Sequence, residues 1–148
     1  MARDKIHNAV KKALVNDGWT ITDDPYTIKV GDLELAADLA AERPLAAEKA
    51  GHKIVVEIKS FAGRSLITEF YAALGQYLTY LRLLELTAPE RQIFLAISDL
   101  VFNDFFQQEA IQHIVQRDKL ALLIVNTKTE EVVQWIKWNN TETSSSDS

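Results

Sequence analysis

The first segment of the chain has apolar residues at the spacing of an amphipathic helix. They recur every three or four residues along one side of a helix, at Ile6, Ala9, Val10, Ala13 and Leu14. The sequence Asn16-Asp17-Gly18 follows, which is typical of a helix end. The pattern predicts a first helix with one buried side.

The next apolar segments have the length and composition of β-strands. YTIKV and LELAADL flank the turn signal Gly31-Asp32, and HKIVVEIKSF is short and rich in β-branched residues. The intervening stretch AAERPLAAEKAG fits either an irregular excursion or a short strand, because Pro44 opposes a continuous helix there. We therefore expect three strands in this part of the chain.

A long helix is predicted to begin after Ser65, a residue suited to capping, and to reach about Leu84. Its apolar stripe consists of Leu66, Phe70, Leu74, Tyr77 and Leu81. QIFLAIS then reads as a strand covered on both faces, FNDFFQQEAIQHIVQR as a helix, and LALLIV and EVVQWI as two strands. This order predicts an α/β fold, with a central sheet flanked by helices.

Length and composition place all of these elements in one domain. The 148 residues fit a single domain over residues 1–138, and we expect residues 139–148 to be a disordered polar tail. The absence of cysteine excludes zinc–thiolate sites and cysteine nucleophiles, and it fits a reducing compartment. MARDKIHNAV has no apolar signal segment, and no apolar stretch is long enough to span a membrane. We expect a cytoplasmic protein.

The net charge of −5 limits how the chain would contact nucleic acid. Non-specific binding to nucleic acid depends largely on neutralising phosphates with basic residues. DNA binding would therefore need a local basic patch, a divalent cation or a partner protein.

Two charged residues interrupt the apolar strand KIVVEIKSF. Because side chains alternate along a strand, Val55, Glu57 and Lys59 share one face. They lie near the carboxyl end of the strand, where sites in α/β sheets tend to form. A solvent-facing ion pair worth about 0 to 1 kcal/mol is the alternative interpretation.

Asp38 supplies a second carboxylate, at the end of the preceding predicted strand. If it lies beside Glu57, the two repel each other unless a cation or a proton lies between them. Oxygen ligands of this kind suit Mg²⁺, which takes only one or two protein carboxylates. On the long helix, Gln76 and Tyr80 are four residues apart and share one face.

These residues resemble the PD-(D/E)XK nuclease superfamily. The resemblance comprises Asp38, the segment VVEIK with Glu57 and Lys59, and the segment GQYLTY with Gln76 and Tyr80. Gln76-x-x-x-Tyr80 resembles the additional motif of RecB-type members, whereas Ala37 replaces the proline of the superfamily pattern. The resemblance implies a restriction-endonuclease-like core with a central mixed β-sheet flanked by helices.

Over residues 2–138 the chain also resembles the XisH family, the fdxN-element excision controlling factors of cyanobacteria. The similar segments are ARDKIHNAVKKALVNDGWTITDDPY, EIKSF, EFYAALGQYLTY and VVQWIKW. This resemblance implies a role in a developmentally programmed DNA rearrangement. It also implies an XisI-type partner protein and a separate site-specific recombinase that exchanges the DNA strands.

The nuclease resemblance assigns a role to each residue of the predicted site. It implies that Asp38 and Glu57 hold Mg²⁺ or Mn²⁺, with the backbone carbonyl of Ile58 as a third ligand. It implies that Lys59 orients or helps to deprotonate a water molecule. Gln76 and Tyr80 would position the phosphate or the lysine. The implied reaction is hydrolysis of phosphodiesters in DNA.

Three further residues have two interpretations each. Asp4 either complements the amino end of the first helix or lines the cleft, and His7 is either a surface residue or a second cleft residue. Glu69 is either part of a solvated face or an acid close to the metal ligands.

Three functions remain open from the sequence. The first is a metal-dependent endonuclease, and the second is a non-catalytic accessory factor that binds DNA, a partner protein or the recombinase on the same fold. The third is the effector half of a two-gene toxin and neutraliser pair. The sequence also leaves open whether the protein forms a homodimer.

Overall fold

The computed structural model describes the backbone of residues 2–45 and 48–138 and the side chains of residues 5–44 and 51–138. The predicted polar tail, residues 139–148, lies outside the described residues. Helix α1 spans Ala2–Asn16, and all five residues of its predicted apolar side are buried. The helix ends where the sequence predicts, since Gly18 adopts a positive φ of 94° directly after it.

The main sheet has six strands in the order β1-β4-β5-β6-β7-β8. β5 and β6 are parallel, as are β6 and β7, and the outer pairs are antiparallel, so the sheet is mixed. Its strands are β1 (Thr20–Asp23), β4 (Leu39–Leu45), β5 (Glu48–Ile58), β6 (Gln92–Ser98), β7 (Leu122–Asn126) and β8 (Glu131–Ile136). Between β1 and β4 the chain forms a separate antiparallel hairpin of β2 (Tyr26–Val30) and β3 (Leu33–Ala37).

The expectation of three strands before the long helix is wrong, because the described residues form five strands there. The sequence TITD of β1 carries no apolar run, and this strand is defined by its pairing with β4. The ambiguous alanine-rich segment, residues 40–51, supplies most of β4 and the start of β5, and Leu39, Ala40 and Ala41 are buried between β1 and β5. Strand formation here depends on neighbouring strands more than on intrinsic propensity.

Helix α2 spans Leu66–Thr87, and Ser65 caps it as predicted by accepting a hydrogen bond from the N–H of Thr68 at 3.3 Å. The single helix predicted after β6 is instead broken into α3 (Asp99–Asn103), a 3-10 turn (Phe105–Gln107) and α4 (Glu109–Arg117). Adjacent residues of a regular α-helix point about 100° apart. The break allows both Phe105 and Phe106 to enter the core against Phe70 of α2.

Helices cover both faces of the main sheet. Val56 is in register with Phe94 of β6, whose ring packs on Trp135, and Trp135 contacts Trp19 beyond the end of α1. Glu57 points to the opposite face, which α2, α3 and α4 cover. The predicted α/β architecture, a central mixed sheet flanked by helices, is confirmed. No described helix is both long enough and apolar enough to cross a membrane.

Candidate functional site

Asp38 lies at a bend between the hairpin and the main sheet. The sequence places it within the strand LELAADL, but β3 ends at Ala37 and β4 begins at Leu39. Its carboxylate oxygen Oδ2 accepts a hydrogen bond from the backbone N–H of Ile58 at 2.8 Å, and its own N–H donates to Oε1 of Glu57 at 3.3 Å. The bend therefore brings Asp38 directly beside the carboxyl end of β5.

Glu57 is the only charged side chain that is buried among the described residues, with 5% of its surface exposed. Burial raises the pKa of its carboxyl to about 7, and the charge of Asp38 adds to the rise, while the charge of Lys59 opposes it. A buried carboxylate beside a second carboxylate attracts a proton or a cation. Glu57 therefore does not form the solvent-facing ion pair with Lys59 that the sequence also allowed.

Lys59 follows Glu57 on the same face, as strand alternation predicts. Its Nζ lies 3.9 Å from Oε2 of Glu57, and its backbone N–H donates to the carbonyl of Ala96 on β6 at 3.0 Å. The ammonium group is partly exposed, whereas the carboxylate is not. Lys59 therefore presents a positive charge at the solvent side of the carboxylate pair.

Asp38 and Lys59 line a small cleft of about 160 Å³, whereas Glu57, Gln76 and Tyr80 do not line it. It is lined by Ile6, His7, Asp38, Ile58, Lys59, Ser60 and Glu69. The structure thus brings His7 of α1 and Glu69 of α2 into the same cleft as Asp38 and Lys59. Asp4 belongs to α1, but its side chain lies outside the described part of the chain.

His7 is fixed by a contact that the sequence does not reveal. Its Nε2 lies 3.0 Å from Oδ1 of Asp24, and Nζ of Lys11 lies 2.7 Å from the other oxygen of the same carboxylate. Partial burial alone would raise the pKa of Asp24, but the hydrogen bonds of Lys11 and His7 hold it below its usual value. Asp24 and His7 are 17 residues apart, so no local pattern predicts their contact.

Tyr80 projects from α2 near the carboxylates, and Gln76 lies one turn before it on the same helix. Tyr80 is buried and donates a hydrogen bond from its hydroxyl to the carbonyl of Ala36 at 3.2 Å. Burial, followed by the charges of Glu57 and Asp38, raises its pKa to about 12. One turn earlier, the buried Oε1 of Gln76 has no hydrogen-bond partner among the described residues. Buried polar atoms usually have a partner, so this oxygen is an exception among the described residues.

The loop between β5 and α2 is held in a strained conformation. Phe61 has a φ of 54°, which is uncommon for a residue other than glycine. Its ring is buried and contacts Phe105 at 5.8 Å and Phe106 at 5.4 Å between centroids. This packing offsets the local strain, which is typically about 1–3 kcal/mol, and fixes the chain directly after Lys59.

The donor set at the carboxylate pair fits a hard divalent cation. In the described part of the chain, no three His, Cys, Asp or Glu side chains lie close enough to bind one metal ion. Mg²⁺ needs no such cluster, because it binds through one or two carboxylates and keeps several waters. The N–H and C=O of a residue in extended backbone point to the same side, so the Ile58 carbonyl faces the side of Asp38.

Comparisons with known proteins agree over most of the chain. The sequence profile of the family described as XisH protein matches residues 1–133. A solved structure of an XisH family protein from Nostoc punctiforme PCC 73102 is 41% identical, with a TM-score of 0.83 over 90% of this chain and 100% of that one. A solved fdxN element excision controlling factor protein from Anabaena variabilis is 39% identical, with a TM-score of 0.82 over 90% of this chain and 99% of that one. Among curated proteins, none matches. The chain therefore belongs to the XisH family.

Proposed function

We propose that this protein is a divalent-metal-dependent endonuclease that hydrolyses phosphodiesters during the excision of a DNA element. The observation that carries the proposal is the contact between Asp38 and the buried Glu57, next to a cleft that Asp38 and Lys59 line. The related protein from Anabaena variabilis is described as an fdxN element excision controlling factor, which supports the DNA context. The restriction-endonuclease-like class of the fold is part of this proposal.

The chain offers three oxygen ligands and one ammonium group for this reaction. Asp38, Glu57 and the carbonyl of Ile58 would hold Mg²⁺ or Mn²⁺. The bound ion supplies a water of lowered pKa and offsets charge on the phosphate. Glu57 would turn its charge toward the cation, which leaves Lys59 free to orient the water or contact a phosphate oxygen.

Tyr80 and Gln76 would act as neutral positioning groups. A phenol whose pKa is about 12 stays protonated at neutral pH, so Tyr80 can donate a hydrogen bond but cannot serve as a base. The unpartnered oxygen of Gln76 can accept a hydrogen bond from a water or from the Lys59 ammonium group. Both residues therefore suit the placement of the reacting groups.

Cleavage of plasmid and branched DNA with Mg²⁺ or Mn²⁺ tests the nuclease. We expect the wild type to cleave, and Asp38→Asn, Glu57→Gln and Lys59→Met to lose about 100-fold or more, as removal of electrostatic groups commonly does. Glu109→Gln, an exposed change on α4, is the matched control and should cleave normally. Cleavage that persists equally in all three site variants would identify a contaminating nuclease and contradict the assignment.

A non-catalytic accessory factor is the second candidate function. Two observations favour it: the net charge of −5, and the description of the Anabaena variabilis protein as a controlling factor. In this alternative the fold binds DNA or the recombinase without cutting. DNA binding that persists in EDTA, together with no cleavage by wild type in either metal, would select it.

In both cases we propose that the protein works with an XisI-type partner and, indirectly, with a site-specific recombinase. An acidic domain gains little from phosphate attraction, so a partner would supply part of the DNA contact. Size-exclusion chromatography of the two mixed proteins tests the complex. A dissociation constant of about 1 μM requires about −8 kcal/mol, so separate peaks at micromolar concentration would contradict it.

A further inference from the structure

The outer side of α2 carries a stripe of residues that are exposed, or in the case of Leu78 only partly covered, in the described chain. The outer stripe of α2 consists of Ile67, Tyr71, Gly75, Leu78, Arg82 and Leu86. These positions are three or four residues apart and fall within about 100° of the helix circumference. Tyr71 and Leu86 are 65% and 72% exposed, although α2 packs its opposite side on β6 and β2.

Nothing in the described part of one copy requires glycine at position 75. A Cβ placed on it would meet no atom within 4 Å, and its φ is not among the positive values that require glycine. Glycine in the middle of a helix is less favourable than alanine. A glycine at this place does, however, permit another helix to approach the backbone closely.

The outer stripe is complementary to a reversed copy of itself. When a second α2 runs antiparallel about the middle of the helix, Ile67 meets Leu86 and Tyr71 meets Arg82. In the same register, Leu78 of each copy lies over Gly75 of the other. The spacing of the six positions is the same in both directions, so each contact occurs twice, as a twofold axis requires.

The electrostatics of the outer stripe favour this antiparallel arrangement. Arg82 already binds Glu85 through one edge of its guanidinium group, at 2.7 Å. The face of the guanidinium remains open and can stack on the ring of a Tyr71 from a second copy. A parallel arrangement in register would instead place Arg82 against Arg82, which is repulsive.

We propose that two copies of this protein form a twofold dimer through the outer stripes of their α2 helices. The occupant of this surface is a second copy, because the stripe has the same spacing in both directions and places Leu78 over Gly75 and Arg82 against Tyr71. The proposal is independent of the nuclease assignment.

Sedimentation across a wide concentration range tests the dimer. We expect a reversible monomer–dimer equilibrium, and Tyr71→Glu should weaken it by about tenfold or more. Gly75→Ala should also weaken association while it raises the melting temperature of the monomer, because alanine favours the helix and meets no atom in one copy. Leu100→Glu, at an exposed leucine of α3, is the control and should dimerise normally. A wild type that stays monomeric, or variants that all dimerise equally, would overturn the proposal.

Cross-linking tests the antiparallel register. The sequence contains no cysteine, so Ile67→Cys and Leu86→Cys each introduce a single thiol. In the proposed dimer, the two copies of residue 67 lie about 28 Å apart, at 1.5 Å of helix per residue. A short bismaleimide should therefore cross-link a mixture of the two variants but neither variant alone. Cross-linking of Ile67→Cys to itself would overturn the register.

Discussion

Asp38 and Glu57 are joined by a hydrogen bond of 3.3 Å from the backbone N–H of Asp38 to Oε1 of Glu57. The carboxylate of Asp38 is held separately, by the N–H of Ile58. Each carboxylate therefore has a backbone donor, yet the two negative charges remain neighbours. The ionisation of Glu57 therefore depends on whether a proton or a cation lies between the two carboxylates.

The first prediction concerns stability against pH without metal. The pKa of Glu57 is 4.5 as a free group and about 7 in the folded protein, so the folded state binds its proton more tightly. The wild type should therefore lose stability as pH rises from 4.5 to 7, relative to Glu57→Gln, which cannot ionise. The difference in unfolding free energy between the two proteins should reach about 3 kcal/mol above pH 7 and vanish below pH 4.5. Urea unfolding in EDTA measures it, and parallel pH curves for the two proteins would contradict the assignment.

The second prediction concerns proton release on metal binding. A cation at Asp38 and Glu57 competes with the proton that Glu57 holds near neutral pH. We expect the affinity for Mn²⁺ to rise as pH increases toward 7 and to level off above it. Calorimetry in two buffers of different ionisation enthalpy measures the released protons. Proton release that persists in Glu57→Gln would show that the released proton comes from another group.

The third prediction concerns thermal stability with metal. A ligand that binds only the folded state stabilises it by about 2.7 kcal/mol at a hundredfold excess over its dissociation constant. We expect Mn²⁺ or Mg²⁺ to raise the melting temperature of the wild type, and Asp38→Asn and Glu57→Gln to lose that gain. Asp24→Asn, which changes a carboxylate outside the pair, is the control and should respond like the wild type. An equal response in all four proteins would show that the metal binds elsewhere.

The fourth prediction separates the two buried tyrosines of α2. Tyr80 donates to the carbonyl of Ala36, whereas Tyr77 accepts from the N–H of Ala121 at 3.1 Å. Each change to phenylalanine should cost about 1 kcal/mol or more of unfolding free energy, because each removes a hydrogen bond. Only Tyr80→Phe should also lower DNA cleavage, since the charges of Glu57 and Asp38 act on Tyr80, whereas the Tyr77 hydroxyl contacts the backbone of Lys119 and Ala121. Equal activities at matched stability would give Tyr80 a structural role alone.

The sequence predicts those helices and strands whose own residues favour that structure. Ser65 begins α2 because its hydroxyl caps the helix, and QIFLAIS forms a central strand because both of its faces are apolar. β1 and β4 lack such signals, since their stability comes from pairing with each other and with β5. Strand alternation likewise places Glu57 and Lys59 on one face, whereas the contact between His7 and Asp24 arises only in the folded chain.

Asp38 is the only residue between β3 of the hairpin and β4 of the main sheet, since β3 ends at Ala37 and β4 begins at Leu39. One of the two connections between the hairpin and the main sheet is therefore a residue of the candidate site. Tyr80 binds the hairpin at the carbonyl of Ala36, close to Asp38. The turn of the hairpin at Gly31 and Asp32 is exposed. The packing of β2 on α2 and the hydrogen bond of Tyr80 therefore also hold Asp38 beside Glu57, so the spacing on which the proposed cation binding depends is set by the hairpin as well as by the main sheet.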